Sequence, residues 1–497
     1  PGSSMRVLES RPPAPSGRAV LSLLAAAAGA FWLFRRHRRR PPAPRPPANP
    51  EALRFPRHFH FGAATAAHQV EGGTTNNNWT RWESAVRADG RPGIFTGECC
   101  GPAADHWERF DEDLARMQDL GLSMYRFSVE WSRIEPEEGR FDEAALARYR
   151  SWCEKLHAAG IAPMVTLHHF SEPLWITDRG GFESRDTVDA FARFVRHVVP
   201  RLADVVDHWI TVNEPVVYAV LGWGTGEFPP GKRDPALMGR VLENLLLAHA
   251  EAYHALHALD RADADGDGVA CLAAPANNLV VFEPATRFNP IDAWLARRFD
   301  RAYNRAVLNA LQTGRLRLAL PGVLALDVTH PRLAGTWDYA AVNHYFRLRT
   351  GLRYRRSPLP LLGFDPAVEK NDMGWDLTPD SLYDALRLAA GYGRPVYVTE
   401  NGTCDADVPD HRRRRHLAAS LAAVERALRD GIDVRAYLYW SLMDNFEWAH
   451  GFAPRFGLYR VDFDTQERTL TTGGALYRHL IERHRKRYEH NDTLTAA

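Results

Sequence analysis

Two short apolar runs in this 497-residue chain each end in a glutamate. In VYVTENG, Val396 to Gly402, β-branched residues deliver Glu400 into Asn401-Gly402, a turn-forming pair. In DHWITVNEP, Asp207 to Pro215, the run of Trp209, Ile210 and Val212 ends in Asn213-Glu214-Pro215. One Glu after a strand is ordinarily a cap or a surface residue. Two strands that both close on a carboxylate suggest a pair. A pair placed on opposite sides of a glycosidic bond could cleave it, one carboxyl protonating the leaving oxygen and the other attacking or activating water.

These carboxylates need a scaffold that gathers strand ends. From about Phe55 the chain alternates short apolar runs with amphipathic helical stretches, the pattern of βα units around a parallel sheet. Eight strands are predicted, beginning near His58, Ser123, Ile161, Val206, Val269, Trp337, Pro395 and Val434. Helices lie between them, such as DEDLARMQDLG and AALARYRSWCEKLHAAG, each closing on a Gly that suits a C-cap. The implied fold is α/β, a single (β/α)₈ barrel, whose chemistry sits at the carboxyl ends of the strands. Glu214 would follow strand four and Glu400 strand seven.

Composition narrows the class. A net charge of +1 gives no electrostatic footprint for nucleic acid, and 45% hydrophobic residues suffice for a large core. The five cysteines, Cys99, Cys100, Cys153, Cys271 and Cys404, are odd in number and suit neither a disulfide framework nor a zinc site. Reduced thiols in a cytoplasmic setting fit them, with Cys153 packed in a helix. DADGDG, Asp263 to Gly268, matches the start of a calcium loop, but Ala274 stands where its closing Glu should be, so it reads as a polar turn. The run Arg412 to Arg415 reads as the solvated face of a helix.

Ahead of the barrel, residues 1–18 form a tail whose first four precede Met5 and read as a cloning remnant. Ala19 to Phe34 is apolar and is followed at once by RRHRRR; as a helix it would rise about 24 Å, workable as a membrane anchor with arginines at its end. The arginine excess on its far side predicts that everything downstream faces the cytoplasm. If the segment were instead a cleaved signal peptide, the protein would be secreted. Residues 35–54 are a polybasic and Pro-rich tether, 55–490 the barrel, and 491–497 a tail.

HQVEGG, YRFSVEWSRI, TLHHFSEP, TVNEP, NHY, MGW, TENG and WSLMDNFEW occur in the order and approximate spacing of glycoside hydrolase family 1, and the chain resembles that family from about Phe59 to about His484. The resemblance implies a retaining β-glycosidase that needs no metal or organic cofactor, acting on a small-molecule or lipid-linked β-glycoside. It makes Glu214 the general acid/base and Glu400 the nucleophile, held by Arg126 and Tyr345. Asn213 would bond the sugar 2-hydroxyl, and Gln69, His169 and Glu447 would read the other hydroxyls. Trp440 would be the stacking platform and Trp448 an indole donor. Asn343 and Phe456 would shape the pocket, and Trp375 would lie at its mouth.

Two departures from the family pattern stand out. Phe170 follows His169 where a Trp is usual, and His344 occupies the middle of NHY where an uncharged aromatic is more common. Glu447-Trp448 is the pair expected for neutral rather than phosphorylated sugars, which points to gluco-, galacto- or fuco-configured substrates. The rivals are a transglycosylase acting on glycolipids and a non-catalytic carbohydrate-binding barrel, the latter disfavoured because both glutamates are present.

Overall fold

The computed structural model describes residues 49–495, apart from 88, 321–323 and 356–360. The predicted anchor at 19–34 and most of the tether lie outside the described residues. No described helix is long and apolar enough to cross a membrane.

All eight predicted strands form, and they close into one parallel barrel in chain order. They are β1 (His60–Ala64), β2 (Met124–Ser128), β3 (Ala162–His168), β4 (His208–Asn213), β5 (Leu272–Asn278), β6 (Ala340–Asn343), β7 (Val396–Asn401) and β8 (Val434–Trp440), with β8 pairing back on β1. Every residue of β2, β4, β6 and β7 is buried. That explains why these strands read as continuous apolar runs rather than alternating ones, since helices cover their outer faces while side chains fill the interior.

The helices close where their sequences said. His106–Leu120 ends on Gly121 at φ +74°, and Glu143–Ala158 is followed by Gly160 at φ +72°; Cys153 is fully buried in the latter. All five cysteines are free thiols. Glu51 of the turn Pro50–Ala52 pairs with Arg483, and the last helix runs to Thr495.

The arginine run is a correction. In the helix His411–Arg429 only part of it faces solvent. Arg413 is buried and donates to Asp410 and to the carbonyls of Asp405 and Arg455, while Arg412 pairs with Asp372 and Asp405, and Arg415 with Glu369. The acids that collect these arginines are scattered in sequence, so the run alone looked unpaired.

Candidate active site

Register is regular through most of the barrel; apart from one shift between Val396 and Tyr397 at the start of β7, it breaks at the carboxyl ends of the strands. The pairing of β7 with β6 shifts between Val398 and Glu400, that of β7 with β8 between Val398 and Asn401, and that of β4 with β5 between Ile210 and Asn213. Irregularities of this kind bend a strand and re-aim its side chains. Glu400 therefore lies within the last turn of β7, opposite Asn343, rather than after the strand as predicted. Glu214 leaves β4 at φ +44°, an uncommon backbone for a non-glycine residue, and Pro215 then starts the helix Pro215–Ala219. Gly402 lets the end of β7 run against β8. A Cβ there would lie 2.0 Å from the carbonyl oxygen of Trp440.

Around Glu400 the partners carry charge or strong donors. Arg126 Nη1 donates to Oε1 at 2.7 Å and the Tyr345 hydroxyl to Oε2 at 2.6 Å. Among the described residues Glu214 has only neutral donors. Asn343 Nδ2 at 2.9 Å and Asn278 Nδ2 at 3.2 Å both reach its Oε1. The two carboxyls thus differ by environment rather than by burial, which is nearly complete for both. Loss of solvent, then the charge of Glu400, pushes Glu214 up to about 8. Burial also raises Glu400, but Arg126, the Tyr345 phenol and the Asn343 amide oppose it. Of the pair, Glu400 is the one that ionises first.

Asn213 sits between the two. Its Oδ1 accepts from Arg126 Nη2 at 2.6 Å and from Asn343 Nδ2 at 3.2 Å, and its amide nitrogen lies 3.0 Å from His169 Nε2. With both of those bonds on Oδ1, Nδ2 is the donor, so the His169 proton is on Nδ1. Burial, then the neighbouring Arg126, holds the ring well below the usual imidazole range, hence neutral. His169 Nδ1 has no hydrogen-bond partner among the described residues, and neither does the buried Gln69 Oε1. A donor and an acceptor are thereby left for hydroxyl groups.

Gln69 Nε2 donates to Asn445, to the carbonyl of Phe446 and to Glu447 Oε2 at 3.2 Å, and Trp440 donates to the same carboxyl. Burial and the charge of Glu400 push Glu447 up to about 8. Trp448, at φ +49°, stacks on His68 and on His169, each with ring centroids 5.9 Å apart. Trp375 and Phe456 pack around Tyr345 at 5.6 and 6.3 Å between ring centroids, forming the wall beside Glu400. All the predicted site residues are thus brought together. One assignment changes character, because Asn343 does not merely shape the pocket but bonds Glu214 directly.

Phe170 lies flat on Tyr218, rings 5.6 Å apart and 8° from parallel, and its carbonyl takes hydrogen bonds from Asn78 and Trp79. His344 faces away from the carboxyls. It bonds Ser381 and the carbonyl of Leu279, and burial pushes it down to about 4. Sequence reasoning missed four residues: Thr166, which accepts from Arg126 Nε; Asn278; Asn445; and Tyr303, which donates to Asn278 Oδ1 at 3.0 Å. Asn278 closes β5 as Glu400 nearly closes β7, and that position was the only signal for it.

Two other groups gather ligand atoms. Asn77 Nδ2 donates to His68 Nδ1, which leaves the ring proton on Nε2, directed at Glu83 Oε1 3.6 Å away beside Cys100. This is an imidazole–carboxylate contact. In the polar turn, Asp207 and Asp263 accept backbone N–H groups of the loop itself.

Residues 51–486 match the model of glycosyl hydrolase family 1. The chain is similar to beta-glucosidase A of Acetivibrio thermocellus, 33% identical over 86% of this chain and 98% of that one, and to a beta-galactosidase of Pyrococcus woesei, 31% identical over 83% and 94%. Its fold overlays the solved beta-glycosidase from Pyrococcus horikoshii with a TM-score of 0.75 at 34% identity, covering 86% of this chain and 95% of that one. The match to this family, with two buried glutamates at the ends of strands four and seven, makes this a retaining β-glycosidase. The chain belongs to glycosyl hydrolase family 1, and it is an O-glycosyl hydrolase.

Proposed function

We propose that Glu400 is the nucleophile and Glu214 the general acid/base of a β-glycosidase acting on neutral sugars. The observation that carries this is the asymmetry of the two carboxyls: a guanidinium and a phenol on Glu400, amides alone on Glu214. Glu400 attacks the anomeric carbon as Glu214 gives its proton to the leaving oxygen, and a glycosyl ester forms. Glu214, now ionised, takes a proton from water, which attacks the same carbon and releases Glu400. Asn213 is placed for the 2-hydroxyl. Gln69, His169 and Glu447 take the rest of the sugar, with Trp440 and Trp448 beside it.

Two inversions leave the configuration unchanged. Proton NMR of the first-formed sugar should show the β anomer, and initial release of the α anomer would refute the mechanism. Among the described residues the side-chain partners of Glu447 are Gln69 and Trp440, neither of them a cation, which supports a neutral sugar. With Phe170 packed on Tyr218 and offering no indole donor, recognition should be loose, and gluco and galacto or fuco glycosides should be used at comparable rates. A preference for one epimer above about a hundredfold, about 2.7 kcal/mol in transition-state binding, would contradict this.

The membrane tether belongs to the same reading. If Ala19 to Phe34 anchors the chain with the barrel facing the cytoplasm, the full-length protein should stay with membranes in high salt, since salt screens arginine contacts but not buried apolar area. An N-terminus found just after AAAAGA would mean cleavage and secretion instead.

A further inference from the structure

The connection leaving the carboxyl end of β5 carries an unusual surface. Val281–Pro284 pairs with Arg347–Thr350, which itself follows β6, and so forms part of the wall on the Glu214 and Glu400 side of the barrel. Next come Phe288, 88% exposed, and the helix Pro290–Asp300, on which Ile291 and Trp294 are 51% and 52% exposed. The spacing Ile291, Trp294, Arg297, Arg298, Arg301 puts all five on one helical face, while Leu295, Ala296 and Phe299 are buried on the other. Leu352, 45% exposed, lies near the start of this helix, its N–H bonded to Asp292 on the helix's buried side.

Charge tells what covers it. Arg287, Arg297, Arg301 and Arg353 are exposed, and none has a carboxylate partner among the described residues. The acids of the same region are already occupied. Glu283 pairs with Arg347 and Arg349, Asp300 with Arg305, Asp380 with Arg347, and Asp292 is buried on backbone N–H groups. The Arg287 and Arg298 guanidiniums lie over the rings of Phe288 and Trp294, at 5.4 Å each. Exposed aromatic and branched apolar side chains ringed by uncompensated arginines are complementary to a surface that is apolar inside and anionic at its face. A protein partner would supply discrete carboxylates or an apolar knob. Four free cations beside the exposed Phe288, Ile291 and Trp294, rather than one facing a single apolar group, favour a lipid bilayer.

We infer that Phe288, Ile291 and Trp294, with the surrounding arginines, form a docking surface for an anionic bilayer, which brings the rim of the active-site mouth to the headgroups. The inference is independent of whether residues 19–34 span a membrane, and of which sugar is cleaved. It is tested on a chain beginning at Asn49, which retains the closed barrel and the region shared with the relatives. Hydrolysis of a soluble aryl glycoside reports that this chain and its variants are folded. Co-sedimentation with phosphatidylcholine vesicles, with and without phosphatidylserine, reports docking. The expected result is binding that requires phosphatidylserine and weakens with salt. Arg297→Glu and Arg301→Glu should each weaken it about fivefold or more, and Phe288→Ala with Trp294→Ala about tenfold or more, all with unchanged aryl glycoside turnover. Binding indifferent to phosphatidylserine, binding unaltered in the variants, or no vesicle binding together with self-association through this face would each overturn the proposal.

Discussion

Arg126 and Glu400 meet at 2.7 Å with neither side chain more than 5% exposed, so a full charge pair is held at the end of the barrel with almost no water around it. The other guanidinium nitrogen holds Asn213 at 2.6 Å, next in sequence to Glu214. One cation thereby holds both the nucleophile and the side chain of the residue before the acid. An ion pair this deeply buried contributes little net stability when intact, but losing one partner leaves an uncompensated charge.

Arg126→Met should therefore cost more in function than its distance from the scissile bond suggests. Expected are a fall in kcat/KM of about a thousandfold or more, an acid limb of the pH profile moved upward, and a stability loss of about 3–5 kcal/mol. Denaturant unfolding and pH-dependent kinetics check these separately.

The pH dependence of the native enzyme follows from the signs of the two shifts. Glu214 must hold its proton, so activity falls as pH rises through about 8, while Glu400 must be ionised, so activity falls again on the acid side. The bell in kcat/KM reports the pair rather than either residue. An alkaline limb near the ordinary carboxylate range would contradict the environment described for Glu214.

Asn278→Ala removes one of two amide donors from Glu214 Oε1, and Tyr303→Phe removes the hydroxyl that holds Asn278. Both donors favour the ionised carboxyl, so the alkaline limb should move up in Asn278→Ala and less in Tyr303→Phe, with kcat/KM down about tenfold in the former. A uniform loss of activity at every pH would mean that the two residues only support the fold.

Global stability should fall as pH rises from about 6.5 to about 8, where the buried carboxyls alone set the slope. Buried His169, His208, His249, His344 and His416 are held below their ordinary value, so the unfolded chain binds more protons as pH falls beneath that value and stability drops. Buried Glu71, Glu214, Glu227 and Glu447 are raised to about 7 or 8, so in the folded state they keep protons that the unfolded chain has lost, and their contribution, full only below the ordinary carboxylate range, is lost as pH rises from there through about 8. Denaturant midpoints across pH check both slopes.

The sequence made most of this site legible because the barrel strands are buried on both faces and so stand out as apolar runs, and because both glutamates sit in fixed motifs at strand ends. Asn278 and Tyr303 were not legible, since Asn278 reaches Glu214 from 64 positions away and Tyr303 holds Asn278 across 25 more, through bonds that only the closed barrel creates. The strands of the mouth extension, four residues or fewer each, are too short to show a period. Arg413 was misread because two of its acceptors are backbone carbonyls, of Asp405 and Arg455, and a run of arginines reveals nothing about which of them a fold will bury.

The assignment of the nucleophile is open to direct trapping. A 2-deoxy-2-fluoro glycoside with a good leaving group slows both steps of a double displacement, the second more, so the glycosyl ester accumulates and adds one sugar to the intact mass. Digestion and peptide sequencing then locate it. The ester is predicted on Glu400, within VYVTENG, with one sugar per chain and slow recovery of activity as the ester hydrolyses; a sugar on Glu214, or inactivation with no covalent sugar at all, would contradict the roles given to the two carboxyls.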